Sequence, residues 1–181
     1  MGRTGNYLMK INTIHDGIYE IEDFISQLEV DLILSKIDGN WDYSDSSTWD
    51  QRLKKIDPPI KEFADIRERI CNLFSSYSKI NHIIQLQRFE VGGKMGIHRD
   101  KIPSNNVKFG TVCYLNDNYE GGEVRYPDLG IIIKPKARSL LIHGGDVNHE
   151  VKEVLSGSDR YFLTTFVHGD EFNEPVFKGL E

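Results

Sequence analysis

Apolar residues recur along this chain with two periods, mainly helical in its first part and strand-like in its second. Ile11 to Ile21 carries β-branched residues around an Asp16-Gly17 turn signal, which predicts a short strand or hairpin. Over residues 23–37, Phe24, Leu28, Leu32 and Ile37 recur at helical spacing. Asp57-Pro58-Pro59 then opens a second helix, with an N-cap residue and a proline near the first turn. Along it Ile60, Phe63, Ile66, Ile70 and Phe74 form a stripe suited to packing on a core. From Ile83 onward short alternating segments replace the helical period, separated by Gly, Pro, Asn and Asp. Strands are expected over 83–90, 95–99, 109–115, 122–126, 131–134, 138–143, 149–154 and 160–167. Even spacing of this kind suits a closed sandwich or jelly roll. Gly157-Ser158-Asp159 is expected to fold 149–154 and 160–167 into one antiparallel hairpin.

Two segments stand outside this pattern. Residues 1–10 are polar and predict a disordered extension, leaving 11–181 as one domain whose strand-rich core spans about 80–169. Residues 40–52, NWDYSDSSTWDQR, are loop-like but carry Trp41, Tyr43, Trp49 and Arg52. Such a loop either closes over a bound ligand or is a surface connection anchored by its tryptophans.

Composition narrows the class. With 181 residues, 39% hydrophobic and 28% charged, the chain is long enough for one sizeable core. A net charge of −6 provides no overall basic footprint for nucleic acid or an anionic membrane. No apolar run approaches the roughly 20 residues of a membrane span. Cys71 and Cys113 fall on an expected helix and an expected strand. Both read as free buried thiols, and with a polar start lacking a signal-peptide core they favour the cytoplasm.

The candidate chemistry begins at His98-Arg99-Asp100. Residues at i and i+2 share one side of a strand, so His98 and Asp100 can point together. His149, at the start of HEVKEV, would add a second imidazole and complete a two-histidine, one-carboxylate face. That donor set leaves coordination positions open and suits non-haem Fe(II). His168-Gly169-Asp170 has the same spacing but no later histidine, and is expected at the surface. His143 precedes His149 by six residues; it can line the same pocket, but a structural role is the favoured expectation. Arg160 follows in chain order. A permanently charged guanidinium inside an apolar barrel needs a carboxylate partner, and a bound dicarboxylate can be that partner.

Six ordered segments carry a wider resemblance: RFEVGGKMGIHRD (88–100), TVCYLND (111–117), YEGGEVRYP (119–127), IKPKARSLLIH (133–143), HEVKEV (149–154) and GSDRYFLTTF (157–166). Together they resemble the prolyl 4-hydroxylase branch of the 2-oxoglutarate/Fe(II) oxygenases. The resemblance implies an α+β, mainly β fold, a double-stranded β-helix (jelly roll) backed by N-terminal helices. It implies Fe(II), 2-oxoglutarate and O2 as cofactors and co-substrates, with ascorbate as an external reductant. Position by position, His98, Asp100 and His149 match the iron ligands. Arg160 matches the group that binds the distal carboxylate of 2-oxoglutarate, with Tyr114 and Thr164 beside it. Phe89 and Met95 stand where the family often has tyrosines, so two hydroxyls are lost from the expected wall.

The implied reaction couples decarboxylation of 2-oxoglutarate to hydroxylation of a C–H bond. A proline-containing peptide is the substrate the resemblance favours, met by Trp49, Arg52 and Arg99, with the enzyme expected to be monomeric. Relatives acting on nucleic acid usually carry a second arginine six residues after the first, and here that position is Phe166. Two other readings remain open: an oxygenase for a free amino acid or small metabolite, and a non-catalytic jelly roll that keeps the triad as a structural metal site.

Overall fold

The computed structural model describes residues 10–37, 41–43, 52–54, 61–75, 79–80, 84–170 and 174–180. The expected extension at 1–10 therefore lies outside the described residues but for Lys10. Two helices are described, α1 (Gln27–Ser35) and α2 (Lys61–Cys71). The first strands are β1 (Ile11–His15), β2 (Ile18–Ile21), β3 (Asp42–Tyr43), β4 (Arg52–Lys54) and β5 (Lys79–Ile80). The later strands begin with β6 (Gln85–Phe89), β7 (Met95–His98), β8 (Val107–Tyr114), β9 (Tyr119–Gly121) and β10 (Val124–Tyr126). They end with β11 (Ile131–Ile133), β12 (Leu140–Gly144), β13 (His149–Val151), β14 (Val154–Gly157) and β15 (Arg160–His168).

All strand pairs are antiparallel. A large sheet runs β1-β2-β12-β8-β15-β6-β4-β3, with β5 on the far end of β15. A small sheet runs β11-β10-β13-β7 and faces it, and β14 pairs with β9 at one end. These facing sheets with helices outside form the jelly roll that the strand spacing implied.

The large sheet is covered on both faces, which explains its nearly continuous apolar strands. On β12, Leu140 and Ile142 pack with Phe63, Ile66, Ile70 and Val30 of the helices. Leu141 and His143, pointing the other way, face the small sheet. Along β15, Leu163 and Val167 join the helical layer while Phe162 and Thr164 turn inward.

Two expectations are corrected. The stripe read from Phe24 had the wrong phase, because α1 starts only after a capping box at Ser26 and Glu29. Its buried residues are Val30 and Ile33, while Leu28 and Leu32 are 68% and 39% exposed. The hairpin expected from 149–154 and 160–167 does not form. β13 lies in the small sheet between β10 and β7, and β15 lies in the large sheet between β8 and β6. The intervening β14 pairs with β9 instead, so the chain crosses from one sheet to the other before Arg160. Each strand thereby turns its inward face to a shared core, which a local hairpin in one sheet would not achieve. The second helix matches its predicted stripe in Phe63, Ile66 and Ile70, while its Asp57-Pro58-Pro59 start lies outside the described residues.

Phe74 sits where the helical layer, β8 and the C-terminal segment meet. It is fully buried, its ring lies 5.1 Å from Phe109 and 5.8 Å from Phe177, and its backbone bridges to Phe177. Phe74→Ala is expected to cost about 3–5 kcal/mol, read as a lower midpoint in urea unfolding at unchanged slope.

Candidate active site

Between the sheets lies a cavity of about 290 Å³. His98, Asp100, His143 and His149 line it, together with Arg160, Tyr114 and Thr164, and Met95, Val124, Leu141 and Val151 add apolar wall. Every co-substrate and metal residue expected from the sequence therefore reaches one cavity.

The two metal-candidate histidines meet across a strand pair. His98 ends β7 and His149 begins β13, and they are direct partners in the ladder. Their ring centroids are 4.2 Å apart. Asp100 stands in the bend after β7 rather than on the strand, yet its carboxylate returns to the same face. Asn105 holds that bend by donating from Nδ2 to the Asp100 carbonyl at 2.8 Å. Asp100 Oδ1 is 3.8 Å from His98 Nε2 and 3.8 Å from His149 Nε2. One donor atom from each residue lies within 4.8 Å of the others.

The outer nitrogens orient both rings. His98 Nδ1 lies 2.8 Å from the Gly96 carbonyl, and His149 Nδ1 lies 3.0 Å from the Val147 carbonyl. A proton on Nδ1 satisfies each carbonyl and turns each Nε2 toward the Asp100 carboxylate. Two imidazoles and one carboxylate on one face fit a divalent iron and leave its remaining positions open.

Burial shapes the protonation of this group. Desolvation, reinforced by the neighbouring imidazoles, pushes His149 down to about 3, so its lone pair is available at neutral pH. For Asp100 burial acts upward, but the hydrogen bond from His143 and the surrounding imidazoles outweigh it and hold the carboxyl below its ordinary value.

Arg160 approaches from the opposite sheet and is 1% exposed. Its guanidinium carbon lies 4.4 Å from the Phe162 ring centroid, 5.1 Å from Tyr114 and 5.3 Å from Phe89. Nε and one terminal nitrogen have no hydrogen-bond partner, and Arg160 forms no ion pair among the described residues. The hydroxyls of Tyr114 and Tyr119, both buried, lie beside the Arg160 guanidinium and donate to no acceptor among the described residues. Burial raises the pKa of each phenol, with the charge of Arg160 acting in the opposite sense, so both remain protonated donors. An unpaired cation and two spare hydroxyls in an aromatic cage fit an incoming carboxylate. Phe89, the departure from the family tyrosine, is one wall of that cage.

The structure also places residues that sequence reasoning assigned otherwise or missed. His143, for which the sequence favoured a structural role over a place in the pocket wall, lines the cavity and bonds Asp100. Tyr119 was overlooked because it sits in a glycine-rich turn motif with no chemical signature of its own. Gly110 was overlooked as well: a Cβ there would overlap Asp100 Oδ2 and lie 2.6 Å from His143 Nε2. Thr164 accepts from Gln87 Nε2 at 2.8 Å within the same wall. His168 is half-buried against the Asn105 carbonyl at 2.7 Å and takes no part in the triad. Arg99 is exposed and donates from Nε to Asn148 Oδ1 at 2.8 Å. Trp41 stacks on the Arg88 guanidinium at 4.7 Å and packs beside Tyr161, an anchor to the large sheet. Arg52 lies on β4 beside Arg88, and Trp49 lies outside the described residues.

Two outcomes follow from this geometry. Gly110→Ala must displace Asp100, and is expected to weaken Mn(II) or Fe(II) binding by on the order of 10-fold or more with circular dichroism unchanged. The metal-free protein is expected to lose stability as pH falls from about 6.5 toward about 3. Over that window the unfolded chain binds a proton at His149 that the native state refuses, so stability rises with pH. Urea midpoints at several pH values check the slope, and His149→Asn should flatten it.

Residues 84–168 match the 2OG-Fe(II) oxygenase superfamily. No curated protein sequence matches the chain significantly. Among solved structures, a Pseudomonas putida prolyl-4-hydroxylase superposes with a TM-score of 0.68 at 18% identity, covering 84% of this chain and 92% of that one. The viral collagen prolyl hydroxylase of Paramecium bursaria Chlorella virus-1, in its 2OG complex, gives 0.66 at 17% identity over 83% and 95%. A Trichoplax adhaerens prolyl hydroxylase bound to a hypoxia inducible factor peptide fragment gives 0.67 at 18% identity over 84% and 83%. The superfamily's cofactors are Fe(II), 2-oxoglutarate and O2, and the cavity holds a donor set and a carboxylate cradle of that kind. Residues 84–168 thus match the 2OG-Fe(II) oxygenase superfamily, in a chain with the fold of the prolyl 4-hydroxylases.

Proposed function

We propose that this protein is a peptidyl-prolyl 4-hydroxylase in which His98, Asp100 and His149 hold Fe(II) and Arg160 holds the distal carboxylate of 2-oxoglutarate. The observation that carries the reading is the unpaired Arg160, buried in an aromatic cage across the cavity from the triad. A buried cation without a carboxylate costs several kcal/mol, so a structural metal site alone gives no reason to keep it.

In this reading Tyr114 and Tyr119 donate to the same carboxylate as Arg160, and Thr164 completes the polar edge of the pocket. Val124, Leu141, Val151 and Met95 line the span between the two ends and exclude water from it. With Fe(II), 2-oxoglutarate and O2 bound, the cofactor chemistry supplies the oxidant for C–H hydroxylation. The protein's own part is orientation: two imidazole lone pairs and one carboxylate oxygen face a common point, and the guanidinium fixes the far end of the co-substrate. Support for a prolyl peptide comes from the resemblance of the six segments and from the shared fold of prolyl hydroxylases. The acidic net charge and Phe166 in the cavity wall weigh against nucleic acid. As peptide-contacting residues we propose Arg99, exposed between His98 and Asp100, and, from the sequence alone, Arg52 and Trp49.

The test incubates the protein with Fe(II), 2-oxoglutarate, ascorbate and O2, and follows succinate release and product mass. Proline-containing peptides are expected to gain one oxygen atom on proline, with succinate formed in step. Oxidation of free amino acids with peptides untouched would overturn the peptide assignment. Absence of succinate under every condition would overturn the enzyme reading. Arg160→Ala is expected to raise KM for 2-oxoglutarate by on the order of 100-fold or more, the loss of a bidentate charge-assisted pair in a dry site.

A further inference from the structure

We propose that His143 and Tyr126 are positioning residues that confine Asp100 to ligation through a single oxygen. This rests on the reading of His98, Asp100 and His149 as the metal site. Tyr126 Oη lies 3.1 Å from His143 Nδ1, and His143 Nε2 lies 2.9 Å from Asp100 Oδ2. Tyr126 is 0% exposed and His143 is 2% exposed. With the imidazole neutral and its proton on Nε2, Tyr126 donates to Nδ1 and Nε2 donates to the carboxylate. Every polar atom of the relay is then satisfied, which a buried network requires.

The relay divides the two carboxylate oxygens. Oδ2 is occupied by a hydrogen bond from one side, and Oδ1 stands 3.8 Å from both histidine Nε2 atoms on the other. A carboxylate free to rotate can offer both oxygens to a metal and take an additional position. One held at Oδ2 offers only Oδ1, which keeps that position open for co-substrate or O2.

Gly110 is an independent sign that the seat of Oδ2 is built rather than incidental. Gly110 and His143 are partners in the β8–β12 ladder. The missing side chain of one makes room for the imidazole of the other and for the carboxylate, since a Cβ would overlap both. The His143 ring also packs at a tilt against His149, with centroids 4.1 Å apart, so the same residue braces a second ligand. An apolar side chain would fill this buried position at lower desolvation cost, so packing alone gives no reason for an imidazole here.

The experiment titrates the metal-free chain with Mn(II), using calorimetry for affinity and electron paramagnetic resonance for the symmetry of the bound ion. The chains compared are the wild type, His143→Leu, His143→Gln and Tyr126→Phe. His143→Leu is expected to weaken Mn(II) binding by about 10–100-fold and to change the line shape, while thermal unfolding shows a folded chain. His143→Gln, whose side-chain amide can still donate to Oδ2, should recover most of the affinity and the wild-type line shape. Tyr126→Phe should fall between them. Wild-type affinity and line shape in a folded His143→Leu chain would overturn the relay. Equal losses in the Leu and Gln variants would also overturn it, since ring shape rather than the donor would then matter. Should His143→Leu fail to fold, Tyr126→Phe decides, and an unchanged line shape there sinks the proposal. A wild-type chain that takes up no Mn(II) would instead overturn the metal-site reading beneath it.

Discussion

The register between β7 and β13 is the constraint on which the rest of this site depends. It sets His98 opposite His149, so that two rings from residues 51 positions apart share one face. Side chains alternate along a strand, and a slip of one residue would send one of the rings to the outer surface. The register is held from both sides, because β13 also pairs with β10, where Val124 lies opposite Val151. An irregularity between His149 and Val151 adjusts the local twist next to the site. Metal geometry is therefore a by-product of sheet pairing, and the carboxylate is added from the bend where β7 ends.

The second organising element is a charge held without a counter-charge. Arg160 faces Phe89, Tyr114 and Phe162, and ring faces compensate a cation only in part. The remaining cost is borne by the large sheet, whose other face is packed against both helices. Arg160 is fixed at the start of β15 by pairing with Phe89, so it has little freedom to reach solvent. The cavity is thus polarised along its length, with imidazole nitrogens and a carboxylate at one end and a cation with phenol donors at the other. A small dicarboxylate matches that polarity.

Legibility differed between elements for identifiable reasons. The apolar stripe of α2 was readable because a single face of one long helix meets the core. That of α1 was misread, because its phase is set by the cap at Ser26 and its apolar neighbours Phe24 and Ile25 lie before the helix starts. The hairpin expected at residues 157–159 has ordinary turn chemistry, but turn residues report only that the chain bends. Which strand receives it depends on the rest of the sheet. Among the candidate-site residues, His98, Asp100, His149 and Arg160 stand out in the sequence because their residue types are rare inside an apolar core, and the structure brings them to one cavity. His143 and Tyr119 do not stand out, since either residue type also serves in ordinary packing.

The sequence by itself determined the kinds of atoms available and their order: two imidazoles, a carboxylate and a guanidinium, each on or directly beside a segment whose apolar alternation predicts a buried strand. Those are local properties, written in composition and period. Only the tertiary structure decided that Arg160 faces the triad from the opposite sheet, and that Gly110 clears a seat for a bond from His143 to Asp100. Pairing between distant strands is decided by burial of both sheet faces at once. That free energy belongs to the whole assembly and to no single segment.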